Sequence, residues 1–190
     1  MLFAQRLFRS ADCYAGAFTS VWDTATDSAE TSFAQRCDAI ATGLASFDQR
    51  SERCIRTLHP RAQEAARRFL TTARAGGMDV RIISGTRTYA EQNQLYRRGR
   101  YGTPPPIVTN ARGGQSNHNF GIAWDVGVFV NGAYSQEGTA YEKVAANALS
   151  AELEWGGNWA SFKDRPHYQL ALPLSLTEIR DRFEAGQTFV

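Results

Sequence analysis

The chain has 190 residues, 43% of them apolar, and a formal net charge of +2. That is about one domain with room for a short extra module, and enough apolar mass for a packed core, so global disorder is excluded. No stretch approaches the roughly 20 apolar residues of a membrane-spanning helix, and no apolar run follows Arg6 and Arg9 to make a secretory leader.

Leu2, Phe3, Leu7 and Phe8 predict a short amphipathic helix, and Phe33, Cys37, Ile40, Ala41 and Leu44 predict another at helical spacing. His59-Pro60 opens a third, with proline at the first position, where its missing N–H costs nothing. Its apolar stripe is Ala62, Ala65, Ala66, Phe69, Leu70 and Ala73, and Gly76-Gly77 ends it. Met78 to Ser84 alternates and is rich in Val and Ile, which predicts a strand. A helix is expected over Tyr89 to Arg98, then a long loop from Arg100 to Gln115 containing Pro104-Pro105-Pro106. Ile122 to Val130 reads as a strand leading into an Asn131-Gly132 hairpin turn. A helix over Thr139 to Leu153 follows, then a short strand or turn over Glu154 to Trp159. A last strand over His167 to Leu170 and a closing helix over Ser175 to Phe183 complete the chain. Helices and short strands without regular βαβ alternation argue for an α+β fold.

Cys13, Cys37 and Cys54 are odd in number and irregular in spacing, so they read as structural thiols. Lys and Arg outnumber Asp and Glu by 12 to 4 in residues 51–112, against 4 to 6 before and 5 to 9 after. That excess suits either the steering of an anionic polymer or a solvated helix face. Nucleic acid is not an expected partner, because no basic stretch is interleaved with aromatics.

The chemistry concentrates around Ser116-Asn117-His118-Asn119-Phe120-Gly121-Ile122-Ala123-Trp124-Asp125. Asp125 sits in an apolar strand between Trp124 and Val126, where an unpaired carboxylate is costly to bury; a divalent cation would offset that cost. Gly121 lets the chain turn so that His118 and Asp125 reach one point. His167, after Pro166, supplies a third donor, and two imidazoles with one carboxylate make a catalytic zinc set with one position open for water. Asp164, tied to His167 by Arg165-Pro166, stands where a general base is needed. Arg87, directly after a strand in Ser84-Gly85-Thr86-Arg87-Thr88, is a fixed cation able to stabilise an oxyanion. His59 lies outside this pattern and reads as the start of a helix.

The pattern S-x-H-x-x-G-x-A-x-D at 116–125, with S-G-x-R at 84–87 and D-x-P-H at 164–167, resembles the zinc peptidases that include D-Ala-D-Ala carboxypeptidases, D-Ala-D-Ala dipeptidases and phage L-alanyl-D-glutamate endopeptidases. Trp155-Gly156-Gly157-Asn158-Trp159 followed by Phe162 to His167 is most similar to the endolysin-type endopeptidases. The resemblance covers roughly residues 48–172. It implies a small mixed or antiparallel sheet flanked by helices, the fold shared with hedgehog signalling domains. It also implies zinc on His118, Asp125 and His167, Asp164 as acid/base, Arg87 as transition-state stabiliser, and Ser116 and Gln92 lining the substrate site. Residues 48–190 are then the catalytic domain and residues 1–47 an N-terminal helical extension.

The expected activity is cleavage of the L-Ala–D-Glu bond of peptidoglycan stem peptides. Removal of terminal D-Ala, or a metal-bearing binding domain without activity, are the alternatives. The implied enzyme is a monomer made in the cytoplasm, reaching the wall after phage lysis or by another export route.

Overall fold

The computed structural model describes residues 1–102 and 107–190; the proline run of the expected long loop lies outside them. Seven helices surround a five-stranded sheet. The helices are α1 (Leu2–Ser10), α2 (Thr24–Gly43), α3 (Gln49–Ile55), α4 (Pro60–Ala75), α5 (Tyr89–Arg97), α6 (Gly138–Ala148) and α7 (Leu176–Ala185). The strands are β1 (Asp79–Ser84), β2 (Ala123–Val130), β3 (Ala133–Tyr134), β4 (Leu153–Trp155) and β5 (His167–Leu170). They run in the order β1-β2-β5-β4, with β3 against β2, and every pairing is antiparallel. This is the expected α+β class.

Strand alternation divides the sheet into two faces. Val80, Ile82, Trp124, Val126, Tyr168 and Leu170 point into the core with Phe69 and Leu70 of α4 and Val144 of α6. Phe69 packs on Tyr168 with ring centroids 4.4 Å apart, and each such buried aromatic contributes about 2–3 kcal/mol through apolar burial. Asp125, His167 and Gln169 take the alternate positions and face the other way. Asp125 is thus carried by an apolar strand without entering its core, and its side chain remains 22% exposed.

The helices start where local chemistry satisfies their first N–H groups. Thr88 and Glu91 form a capping box on α5, and Ser175 and Glu178 another on α7. Asp23 and Asp48 cap α2 and α3. His59 caps α4 by accepting the Arg61 N–H, with Pro60 behind it, and its Nε2 donates to the Ser10 carbonyl at 2.9 Å. In the β2–β3 hairpin Asn131 and Gly132 both have positive φ, 52° and 79°, as a type I′ turn requires.

Two expectations change. The helix foreseen to run to Leu153 stops at Ala148: Leu149 turns extended, and Leu153 pairs with Leu170 of β5 and is buried there. The second helix of the expected helical extension starts earlier than its apolar spacing predicts, at Thr24, and α3 was not expected as a separate helix.

Residues 1–47 pack in two places. Leu7 joins the main core, and Phe3 packs on Phe183 of α7 and Tyr89 of α5. Phe8, Ala11, Tyr14, Ala29, Phe33 and Cys37 form a smaller cluster between α1 and α2. The cysteines are all free thiols.

Candidate metal centre and active site

Sheet register builds the site. Asp125 of β2 lies directly opposite Ser84 on one side and His167 on the other, so β5 delivers the second donor beside the first. The third arrives on a 3-10 turn, Asn117–Phe120, which Gly121 ends at φ 71°. A Cβ on Gly121 would stand 2.9 Å from the His59 backbone nitrogen, so glycine is needed for both the turn and the close approach.

Three donor atoms converge. His118 Nε2 lies 3.1 Å from Asp125 Oδ1 and 3.2 Å from His167 Nδ1, and His167 Nδ1 lies 3.4 Å from Asp125 Oδ1. A tetrahedral ion with bonds of about 2.0–2.1 Å spaces its donors by about 3.3 Å, so the triangle has zinc-like dimensions. The outer side of each imidazole is fixed. His118 Nδ1 donates to the Gly85 carbonyl at 2.7 Å, and His167 Nε2 meets Gln169 Oε1 at 3.0 Å. A neutral histidine that donates outward turns its bare nitrogen inward. Three donor atoms this close can hold a cation between them, and the residues fit one.

Burial lowers the His118 pKa, against the pull of Asp125. Burial also opposes charge on His167, but once protonated the ring can donate to Asp125, and that bond, the carboxylate's charge and Gln169 outweigh burial and raise the pKa. Burial would raise Asp125, yet His118 and His167 hold it well below the usual carboxylate range.

Arg87 donates from one nitrogen to Asp125 Oδ2 at 3.3 Å and from another to Gln92 Oε1 at 3.1 Å. Its backbone N–H is tied to the His118 carbonyl, and Asn119 donates to the Arg87 carbonyl. Burial lowers the Arg87 pKa against the charges of Asp125 and Asp164. Gln92 is fully buried, and its Nε2 donates to the Ala111 carbonyl at 2.9 Å; its amide is spent on bracing Arg87 and the 109–111 loop. Ser116 is half-buried at the start of the 3-10 turn, with no side-chain capping bond.

Asp164 stands beside the triangle. Its N–H is tied to the Gly156 carbonyl and its carbonyl receives the His167 N–H. Burial raises its pKa, with Asp125 adding to the effect and His167 and Arg87 opposing it. Trp155 locks this segment by donating from Nε1 to the Arg165 carbonyl at 2.7 Å, and Trp159 lies against the His167 ring, centroids 5.0 Å apart. Asp164 also borders an open cleft lined by Val108, Tyr134, Gln136, Phe162 and Lys163.

Sequence reasoning did not single out Gly85, Gln169, Asn119 or Gly156 as parts of the site. Gln169 was within reach, since a residue two positions after His167 on a strand shares its face.

A cluster able to hold a metal ion thus lies beside a second carboxylate, Asp164, and an anchored guanidinium, Arg87. Residues 109–170 match the family profile described as D-alanyl-D-alanine carboxypeptidase. The peptidoglycan L-alanyl-D-glutamate endopeptidase CwlK of Bacillus subtilis (strain 168) is 36% identical over 127 residues, 60% of this chain and 73% of that protein. The L-alanyl-D-glutamate peptidase of Listeria phage A118 is 32% identical over 129 residues, 65% of this chain but 41% of that protein. Among solved structures, the Serratia marcescens L-Ala D-Glu endopeptidase ChiX superposes with a TM-score of 0.50 at 30% identity, over 66% of this chain and 89% of that one. The chain belongs to the peptidase family of the D-alanyl-D-alanine carboxypeptidases and L-alanyl-D-glutamate endopeptidases. No helix among the described residues is long and apolar enough to cross a membrane.

Proposed function

We propose that this chain is a zinc endopeptidase that hydrolyses the L-Ala–D-Glu bond of peptidoglycan stem peptides. The observation that carries the reading is the triangle of His118 Nε2, Asp125 Oδ1 and His167 Nδ1, separated by 3.1–3.4 Å. The choice of bond is supported by the three relatives above, each named for L-Ala–D-Glu cleavage. Zinc held by the triangle supplies Lewis acidity, lowering the pKa of water and polarising a carbonyl.

The chain's own residues do the rest. The Asp164 carboxylate takes the proton from the attacking water and returns it to the departing amine nitrogen. The Arg87 guanidinium, braced by Gln92, faces the negative charge that develops on the carbonyl oxygen. The cleft of Tyr134, Phe162 and Lys163 receives the stem peptide alongside Asp164, and Ser116, at the start of the turn that carries His118, lines the substrate site. The enzyme acts on the wall as a monomer, after release by phage lysis or another export route, with residues 1–47 as a helical extension of the catalytic domain.

Mass spectrometry of wall fragments digested with and without chelator tests this. The expected products carry a free amino group on D-Glu and disappear when zinc is removed. Loss of a single terminal D-Ala would instead favour the carboxypeptidase, the activity the family profile is named for. No cleavage by zinc-loaded protein would leave a binding domain.

A further inference from the structure

Behind His167 lies a row of polar side chains that the proposed chemistry does not use. Glu154 of β4 is directly opposite Gln169 of β5, and Gln169 Nε2 donates to Glu154 Oε2 at 2.8 Å. Gln169 Oε1 accepts from Asn117 Nδ2 at 2.6 Å and faces His167 Nε2 at 3.0 Å. An ionised carboxylate only accepts hydrogen bonds, so Glu154 forces the amide's NH2 group towards itself and its oxygen towards His167. An amide oxygen also only accepts, so the proton of a neutral His167 is drawn to Nε2. Nδ1 is then left bare, facing Asp125 and His118.

We infer that Glu154, Gln169 and Asn117 form a relay that sets the His167 tautomer, with Gln169 the positioning residue for metal capture. The inference rests on the metal reading above and adds what makes the third donor available. Turned the other way, the same glutamine would offer N–H to Nε2, drive the proton onto Nδ1 and block that donor. Glu154 is exposed, so it can be changed with little effect on packing. Gln169 is half-buried on the site face of the sheet.

Two readouts test the relay. In metal-free protein at alkaline pH, imidazole 15N chemical shifts report the tautomer, and His167 should carry its proton on Nε2. Zinc affinity, measured by competition with a chromophoric chelator, should fall about 10- to 100-fold in Gln169→Leu, as for the loss of a group orienting a ligand. Gln169→Glu, which still accepts from Nε2–H, should keep most of the affinity that Gln169→Leu loses, once Glu154 is also changed to Gln so that two carboxylates do not face each other. Glu154→Lys presents a donor where the relay needs an acceptor and should shift the His167 proton towards Nδ1. Unchanged zinc affinity in Gln169→Leu, or an Nδ1–H tautomer in wild type, overturns the relay. The tautomer is read without metal, so it judges the relay even should wild-type protein take up no zinc, a result that would sink the metal reading instead.

Discussion

Burial and the nearby charge of Asp125 raise the Asp164 pKa, as suits a group that trades protons near neutrality. Replacing it with Asn keeps shape and volume but removes the base. Asp164→Asn should bind zinc as wild type does while hydrolysis falls by about 10²- to 10⁴-fold. Full activity on purified stem peptide would mean another group moves the proton. His59 gives a residue-scale prediction about stability. Burial, opposed by its bond to Ser10, pushes its pKa from 6.5 down to about 4. The unfolded chain therefore takes up a proton between pH 6.5 and about 4 that the folded chain refuses. The His59 contribution to stability is complete above pH 6.5, declines as pH falls through this window, and is lost by about 3 kcal/mol at its floor. Denaturant midpoints should fall less between pH 7 and pH 4 in His59→Asn, which can still cap α4. Equal slopes in the two proteins would contradict this.

At the scale of elements, the 164–167 segment is held where it is by a glycine. A Cβ on Gly156 would lie 2.4 Å from the Asp164 carbonyl oxygen and 3.1 Å from His167 Cβ. Backbone must move to accept it, and a shift near 1 Å at a catalytic group costs about 10²-fold. Gly156→Ala should thus lose activity on that scale and bind zinc more weakly, while far-UV circular dichroism stays native. Wild-type kinetics in this variant would show that the Asp164 loop is not positioned by Gly156. Much at this scale was legible in the sequence. The α4 stripe, β1, the Asn-Gly hairpin and β5 follow local periodicity and turn chemistry. The end of α6 did not, because Leu149 and Leu153 continue helical spacing and only pairing with Leu170 pulls Leu153 into a strand. The start of α2 and the first five residues of α3 lack large apolar residues and are set by the caps Asp23 and Asp48 and the Arg67–Glu52 ion pair at 2.7 Å, with Ile55 anchoring the end of α3 in the core. The three donors were legible because two lie in one short motif and the third follows Pro166. Their supports were not: Gly85 reaches His118 from 33 positions away.

For the whole molecule, five of the twelve arginines of residues 51–112 pair with carboxylates outside the metal centre, and of these only Arg67 is buried. Arg56 pairs with Asp38, Arg67 with Glu52, Arg68 with Glu152, Arg74 with Asp48 and Arg81 with Asp79. The buried Arg67–Glu52 pair ties α4 to α3, and Arg56–Asp38 ties the end of α3 to α2, while the exposed pairs contribute little to stability. The N-terminal helix belongs to the same body. Leu7 is 8% exposed in the main core, and its methyl group would touch a Cβ on Gly121, at the end of the turn that carries His118. Leu7→Ala should cost about 2–5 kcal/mol of folding stability in chemical denaturation. A loss below about 1 kcal/mol, the range of a surface substitution, would show α1 to be only loosely attached.

Zinc titration of metal-stripped protein, followed calorimetrically for wild type and for Asp125→Ala, bears most directly on the centre. One zinc per wild-type chain, with binding lost in the variant, is the outcome expected of a cation shared by His118, Asp125 and His167. Equal uptake by the two proteins, or none by wild type, would contradict it.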